Sequence, residues 1–374
     1  MTGAACEDGP DEPGFPYSPE RLTTAWIEAA LRKAGLMQGG GIAAIEARPF
    51  GTGQVGESVR IAIRYMPGSS GPATLVAKFG SRDPQSREGA AGLRVYEREV
   101  RFYREYAPRL AVRTARVLAS ELDESGRYFA LLFDDLAPAR AGNQLAGCTL
   151  ADALLAVREA AAIHAPSMTD PLFMRQGWLT MPAAYQAHYL EAYPACHAVF
   201  RERYKDQLEP ALLAVCDRFA EAMEAWLYRP FRRLGLVHGD FRLDNMLFDA
   251  RGGAQPIAVV DWQTIALADP LIDVGYFLGT GIGSALRRPH ERQLLDAYCA
   301  EMTARGVPMT TDEIWDDYCV GALYGLWLAV YCTAMVPRSE RGDLNFLSMA
   351  RGAAELALDN DSVLALLRLT GGSR

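Results

Sequence analysis

The stretch HGDFRLDN, residues 238–245, packs a histidine, two aspartates, an arginine and an asparagine into eight positions. Apolar LGLV (234–237) precedes it and MLF (246–248) follows, so the polar residues form a loop between buried segments. Asp240 and Asn245 are five apart, the H-x-D-x-x-x-x-N spacing of phosphoryl-transfer loops. That chemistry needs a carboxylate to accept a hydroxyl proton. Beside it, a neutral amide oxygen is needed to ligate Mg²⁺.

The next residues predict a hairpin. NMLFD (245–249) reads as one strand, ARGGAQP (250–256) as its turn and IAVVDW (257–262) as the return strand. The two strands run antiparallel, so Asn245 and Asp261 are expected at the same end, close to Asp240. An amide and a carboxylate converging there suit Mg²⁺, which takes few protein ligands and completes its shell with phosphate oxygens and water. His238 has no second His or Cys nearby in sequence, and is read as a buried histidine bracing the loop.

Upstream, the pattern changes from helical to extended. Residues 1–17, rich in Gly, Pro and acids, read as a mobile N-terminus. Ser18-Pro19 predicts an N-cap and first helical position for a helix ending at Ala34, before Gly35. Strands are expected at 42–50, 59–66 and 74–79, joined by glycine-bearing turns into an antiparallel meander. Gly51, Gly53 and Gly56 fit G-x-G-x-x-G, but a strand follows rather than a helix. This favours a hairpin covering phosphates over a dinucleotide fingerprint; alone it reads equally as a flexible turn.

Lys78 lies in the third strand, and a half-buried lysine needs a partner. Glu99 shares a helix face with Val95, Phe102 and Tyr106 in a helix expected over 88–106, and is the candidate. The bland alternative has Lys78 pointing outward. YFALLFDDL (128–136) reads as a buried strand ending in acids. The expected fold is α+β and bilobed. A small N-terminal lobe (18–136) carries an antiparallel sheet, and a larger, mainly helical lobe spans 137–374.

Composition narrows the class. The 374 residues are 50% hydrophobic and 22% charged, with a formal net charge of −8 and no strong Lys/Arg run, which disfavours a nucleic-acid partner. Seven cysteines, an odd number widely spaced and without C-x-x-C, point to neither a disulfide framework nor zinc, and to a reducing, cytoplasmic setting. Residues 1–16 hold no basic stretch and no apolar run, so no signal peptide is expected. VGALYGLWLAVYCTAMV (320–336) is uncharged but short for a membrane span, and is expected to be a buried core helix.

With these segments in view, the chain resembles the aminoglycoside phosphotransferase and choline kinase superfamily, relatives of protein kinases. Within it, the chain resembles the ecdysteroid-kinase-like (CHK kinase-like) small-molecule kinases. The resemblance covers roughly residues 40–350 and rests on HGDFRLDN, VVDWQ, ADPLIDVGYFL, EREVRFYREYAP and LLFDDL. It implies ATP and Mg²⁺ as cofactors and a small-molecule hydroxyl as acceptor. Asp240 would be the catalytic base or hydroxyl-orienting acid, and Asn245 and Asp261 the metal ligands. Lys78, held by Glu99, would contact the phosphates under the backbone of Gly51–Gly56. Asp134, Asp135 and Leu136 would form the hinge against adenine, and Asp273 would brace the catalytic loop.

There are departures. D-F-G is replaced by DWQ, no A-P-E follows, and Ala268 stands where the family has glycine before Asp269-Pro270. The first two argue against a protein substrate and a phospho-regulated activation loop, whereas Ala268 touches backbone freedom rather than chemistry. For the acceptor two features compete: Asp312, Glu313, Asp316 and Asp317 suit a cationic aminoglycoside or choline-type molecule, whereas Trp315, Tyr318, Tyr324, Trp327 and Tyr331 suit a hydrophobic or steroid-like alcohol. A nucleotide-binding regulator without turnover is the alternative from another class.

Overall fold

A computed structural model describes residues 13–51 and 55–371. Gly53, together with much of the 1–17 segment, lies outside the described residues. The chain divides into two compact units, Met1–Pro108 with Thr114–Ala137, and Arg109–Arg113 with Pro138–Arg374.

The first unit is built on a five-stranded sheet of order β1-β2-β3-β5-β4, every neighbouring pair antiparallel. The strands are β1 Ile42–Phe50, β2 Gly56–Tyr65, β3 Thr74–Gly80, β4 Val117–Leu122 and β5 Phe129–Asp134. Alternation decides which way each side chain faces. Leu75, Ala77 and Phe79 of β3 join a core with Ile27 and Leu31 of the helix Thr24–Lys33. Lys78, out of phase with them, faces the other side.

Two sequence expectations are corrected here. The first helix starts at Thr24 rather than Pro19: Ser18 leads only into a short 3₁₀ turn, and the Thr23 hydroxyl caps the Trp26 N–H at 3.2 Å. The single helix expected over 88–106 is broken. Helix Pro84–Gly92 ends before Arg94, whose φ of 56° is left-handed; helix Val95–Arg101 then runs into a π-helical turn, Phe102–Tyr106. The wider turn still buries Phe102, Tyr103 and Tyr106.

The second unit is mainly helical, with two small sheets: β6 (Arg140–Ala141), β8 (Met246–Ala250) and β9 (Gln255–Val259) in the order β6-β8-β9, and β7 (Gly235–Val237) paired with β10 (Ala266–Ala268). The segment Arg109–Arg113 belongs to it through main-chain bonds from Ala111 N–H to the Ala162 carbonyl and from Val259 N–H to the Arg113 carbonyl. Among the described residues, the one helix long and apolar enough to cross a membrane is Thr311–Met335, and it is packed inside this unit. A Cβ at Gly275 would lie 2.4 Å from the Ala322 nitrogen, and one at Gly321 2.2 Å from the Leu271 carbonyl. Glycine at both positions lets this helix press against the helix Leu271–Thr280. The six described cysteines are all free thiols.

Candidate active site

Strand β7 ends at Val237 and β8 begins at Met246, so both flanks of the polar loop are anchored in sheets. The loop hangs on one buried acid. Asp273, fully buried in helix Leu271–Thr280, accepts the backbone N–H groups of His238 (2.6 Å) and Gly239 (3.0 Å). His164 Nε2 lies 3.2 Å from the same carboxylate, and His164 Nδ1 lies 3.0 Å from the Tyr298 hydroxyl. Gly239 has φ +78°, and a Cβ there would fall 2.5 Å from the Thr264 carbonyl, so only glycine fits this turn.

His238 holds the loop from inside. Its Nδ1 accepts the Asp240 N–H at 3.2 Å, which leaves the proton on Nε2, 3.0 Å from the Val260 carbonyl. It is a fully buried spacer between the loop and the β9 end, with no metal-ligand partner set among the described residues.

Asp240 is partly exposed, its side chain 23% accessible. Tyr276 donates its hydroxyl to Oδ1 at 3.0 Å, Asn245 Nδ2 donates to Oδ2 at 2.9 Å, and Arg242 Nε sits 3.0 and 3.1 Å from the two oxygens. Burial, reinforced by the Asp240 charge, pushes the Tyr276 hydroxyl well above the usual phenol range. The Asp240 carboxylate likewise pushes the Arg242 guanidinium upward. Tyr276 and Arg242 therefore keep their protons beside the Asp240 carboxylate.

The hairpin register brings Asn245 and Asp261 to one end: Met246 pairs with Val259, and the Val260 N–H donates to the Asn245 carbonyl at 3.0 Å. Asn245 spends its Nδ2 on the Asp240 carbonyl and carboxylate, both at 2.9 Å, so the amide oxygen is the atom it can offer elsewhere. Asp261 adopts a left-handed backbone, φ 67°, sparsely populated for a residue with a side chain. An amide oxygen and a carboxylate form a hard oxygen donor set, which fits Mg²⁺.

In the first unit, Lys78 Nζ lies 2.7 and 2.8 Å from the two Glu99 oxygens, with the lysine side chain 14% and the glutamate 2% exposed. Gly51 ends the β1 side of its hairpin with φ +82°, and Gly56 opens β2. The three residues expected at a hinge divide. Asp134 is tied into the sheet, its N–H donating to the Arg116 carbonyl at 3.0 Å and its carboxylate accepting the Arg116 N–H at 2.7 Å. Asp135 pairs with Arg60 at 2.8 Å, and Leu136 is buried. Among the described residues no hydrogen bond reaches the main-chain N–H or C=O of Asp135 or Leu136.

Several contributors escaped the sequence reading. His164 lies in an apolar helix and reads there as core. Gln144, 3% exposed, accepts the Leu243 N–H at 3.2 Å and donates to the Thr280 carbonyl at 2.8 Å. Tyr276 carried a usable signal, being three residues beyond Asp273 and so on the same helix face. Of the aromatic residues first grouped together, Trp315 stacks under Arg292 and Tyr318 donates to Glu291, apart from the loop. Tyr324 instead donates to the Gly239 carbonyl at 2.7 Å.

The sequence model of the phosphotransferase enzyme family matches residues 70–307. Among curated proteins, the chain is 37% identical over 90 residues to acyl-CoA dehydrogenase family member 10 of Mus musculus, 24% of this chain and 8% of that protein. It is 26% identical over 145 residues to acyl-CoA dehydrogenase family member 11 of Gallus gallus, 33% of this chain and 18% of that protein. The chain thus spans less than a fifth of these relatives. The fold is similar to that of a Ralstonia eutropha protein assigned as an aminoglycoside phosphotransferase (TM-score 0.53, 21% identity, 91% of this chain and 98% of that one). It is also similar to an aminoglycoside 2′-phosphotransferase-IIIa variant solved with GDP (TM-score 0.50, 14% identity, 91% and 98%).

Proposed function

We propose, from the premise that the chain belongs to the phosphotransferase enzyme family, that it transfers the γ-phosphoryl group of ATP to a hydroxyl of a small molecule. The observation that carries this reading is the Asp240 carboxylate, partly exposed and fixed by Tyr276, Arg242 and Asn245 on a loop clamped by Asp273.

In this reading the acceptor hydroxyl donates to Asp240. As the new O–P bond forms, the O–H proton passes to the carboxylate, and the bond from the γ-phosphorus to the ADP oxygen breaks. Arg242 pairs with the carboxylate and Tyr276 fixes its angle, so the acceptor arrives at a preset position. Lys78, oriented by Glu99, contacts the nucleotide phosphates, with the backbone of Gly51 and Gly56 beside them. Asp135 and Leu136 offer main-chain groups to adenine; Asp134 has already committed its N–H to the sheet. Asn245 and Asp261 would hold Mg²⁺, which when bound neutralises charge on the phosphate oxygens.

The test is Asp240→Ala. Nucleotide binding, read by thermal shift with Mg-ATP, should stay near wild type, while phosphoryl transfer should fall on the order of 10²–10⁴-fold. Near wild-type turnover would refute the assignment. A regulator that binds nucleotide without turnover would show the thermal shift and no transfer in either protein.

A further inference from the structure

Beneath the polar loop three helices bring together a hydroxyl, an imidazole and a carboxylate: Tyr298 from Ser284–Ala304, His164 from Leu150–Thr169 and Asp273 from Leu271–Thr280. All three side chains are fully buried. His164 Nδ1 lies 3.0 Å from the Tyr298 oxygen, and Nε2 lies 3.2 Å from Asp273 Oδ2, the oxygen that accepts the His238 N–H. The order is that of a nucleophilic triad. No solvent reaches Tyr298, however, and burial pushes its hydroxyl well above the usual phenol range, so it meets no substrate. Three residues on from His164, Ser167 donates to the His164 carbonyl (2.7 Å) and accepts the Leu236 N–H (2.8 Å), which ties β7 to the same helical turn. The strand entering the loop and the acid clamping it are both held from this turn.

The protons in the chain have one consistent arrangement. Among the described residues, His164 Nδ1 is the one hydrogen-bond partner of the Tyr298 hydroxyl. A buried O–H left without an acceptor is costly, so Tyr298 donates to Nδ1. The imidazole proton then sits on Nε2 and is donated to Asp273. The opposite tautomer strands the phenol proton and turns a bare nitrogen lone pair onto the carboxylate.

We propose that Tyr298 is a positioning residue for Asp240: by donating to His164 it selects the tautomer whose N–H orients Asp273, and so sets the His238 and Gly239 backbone that leads into Asp240. The role of Asp240 in transfer rests on the phosphotransferase reading above; the lock of Tyr298, His164 and Asp273 does not.

The experiment reads tautomer, loop and turnover on the full chain. A long-range nitrogen–proton NMR spectrum should show His164 with its proton on Nε2, its signal identified among the five histidines by its absence from His164→Gln. Tyr298→Phe should lose that single tautomer. Hydrogen exchange at the His238 and Gly239 amides should then speed up about tenfold, with the amides of helix Thr311–Met335 unchanged. His164→Gln offers Asp273 an amide N–H that needs no tautomer, so adding Tyr298→Phe to it should leave exchange at the loop as it was. ADP release from Mg-ATP should lose kcat in Tyr298→Phe at unchanged KM. An Nδ1–H tautomer in the wild type would overturn the lock. So would equal acceleration by Tyr298→Phe in both backgrounds, the mark of packing alone. Unmoved kcat beside the expected tautomer and exchange changes would overturn the positioning role. A wild type that releases no ADP bears on the phosphotransferase reading alone, because tautomer and exchange are read without nucleotide.

Discussion

Replacing Asp273 by alanine removes the acceptor for two backbone N–H groups, those of His238 and Gly239, and for His164, at a position with no solvent access. A buried donor left unsatisfied costs about 1–3 kcal/mol. The two amides together therefore cost about 2–6 kcal/mol, against a total stability of about 5–15 kcal/mol for a typical domain. Asp273→Asn keeps one acceptor oxygen and presents an NH₂ group where an acceptor was, so roughly half the loss is expected. Urea unfolding followed by tryptophan fluorescence is the assay, because five of the six tryptophans (178, 226, 262, 315 and 327) belong to the second unit. The midpoint should fall from wild type through Asp273→Asn to Asp273→Ala with little change in slope. Turnover should fall more steeply than Mg-ATP affinity, since the loop carrying Asp240 loses its clamp. An alanine variant within about 0.5 kcal/mol of wild type would refute the clamp.

The other predictions follow from the backbone and from titration. Asp261→Ala and Asp261→Gly should both lose Mg²⁺-dependent nucleotide stabilisation, but the glycine variant should be about 1 kcal/mol more stable, because φ 67° strains alanine and not glycine; equal melting temperatures would contradict the strain. Burial raises the Asp269 pKa from its ordinary 3.8 to about 6. The native state therefore binds the proton more tightly than the unfolded chain, and this stabilisation is full below pH 4 and is lost as pH rises through 6. At about 1.4 kcal/mol per unit the loss is at most about 3 kcal/mol. Asp269→Asn, which can still accept the Leu271 N–H, should flatten stability between pH 4 and 7, and an unchanged pH profile would count against a buried, raised Asp269.

The hairpin was legible because its turn residues and apolar flanks leave one register, and that register alone puts Asn245 beside Asp261. The limits of β1 were legible for a similar reason, with glycines on both sides of the run IAAIEARPF. The Lys78–Glu99 contact could be anticipated from alternation in β3, since the opposite face is claimed by Leu75, Ala77 and Phe79. Strand β4 was not legible: VLASEL has two polar residues and irregular burial, and it is a strand because β5 supplies an edge to pair with. The break at Arg94 was hidden because nothing but tertiary packing favours a left-handed arginine there. The split of the aromatic residues was hidden as well, since sequence spacing along Thr311–Met335 does not say that Trp315 meets Arg292 while Trp327 meets Tyr189.

Asp240 is proposed to serve transfer of a phosphoryl group to an alcohol. The most direct test follows the γ-phosphoryl label of ATP into a phosphate ester of an acceptor alcohol, comparing wild type with Asp240→Asn, which preserves the shape of the side chain and its contacts to Tyr276. Label is expected in the ester with the wild-type protein, with a loss on the order of 10²–10⁴-fold in the variant. Equal labelling by the two proteins would contradict it.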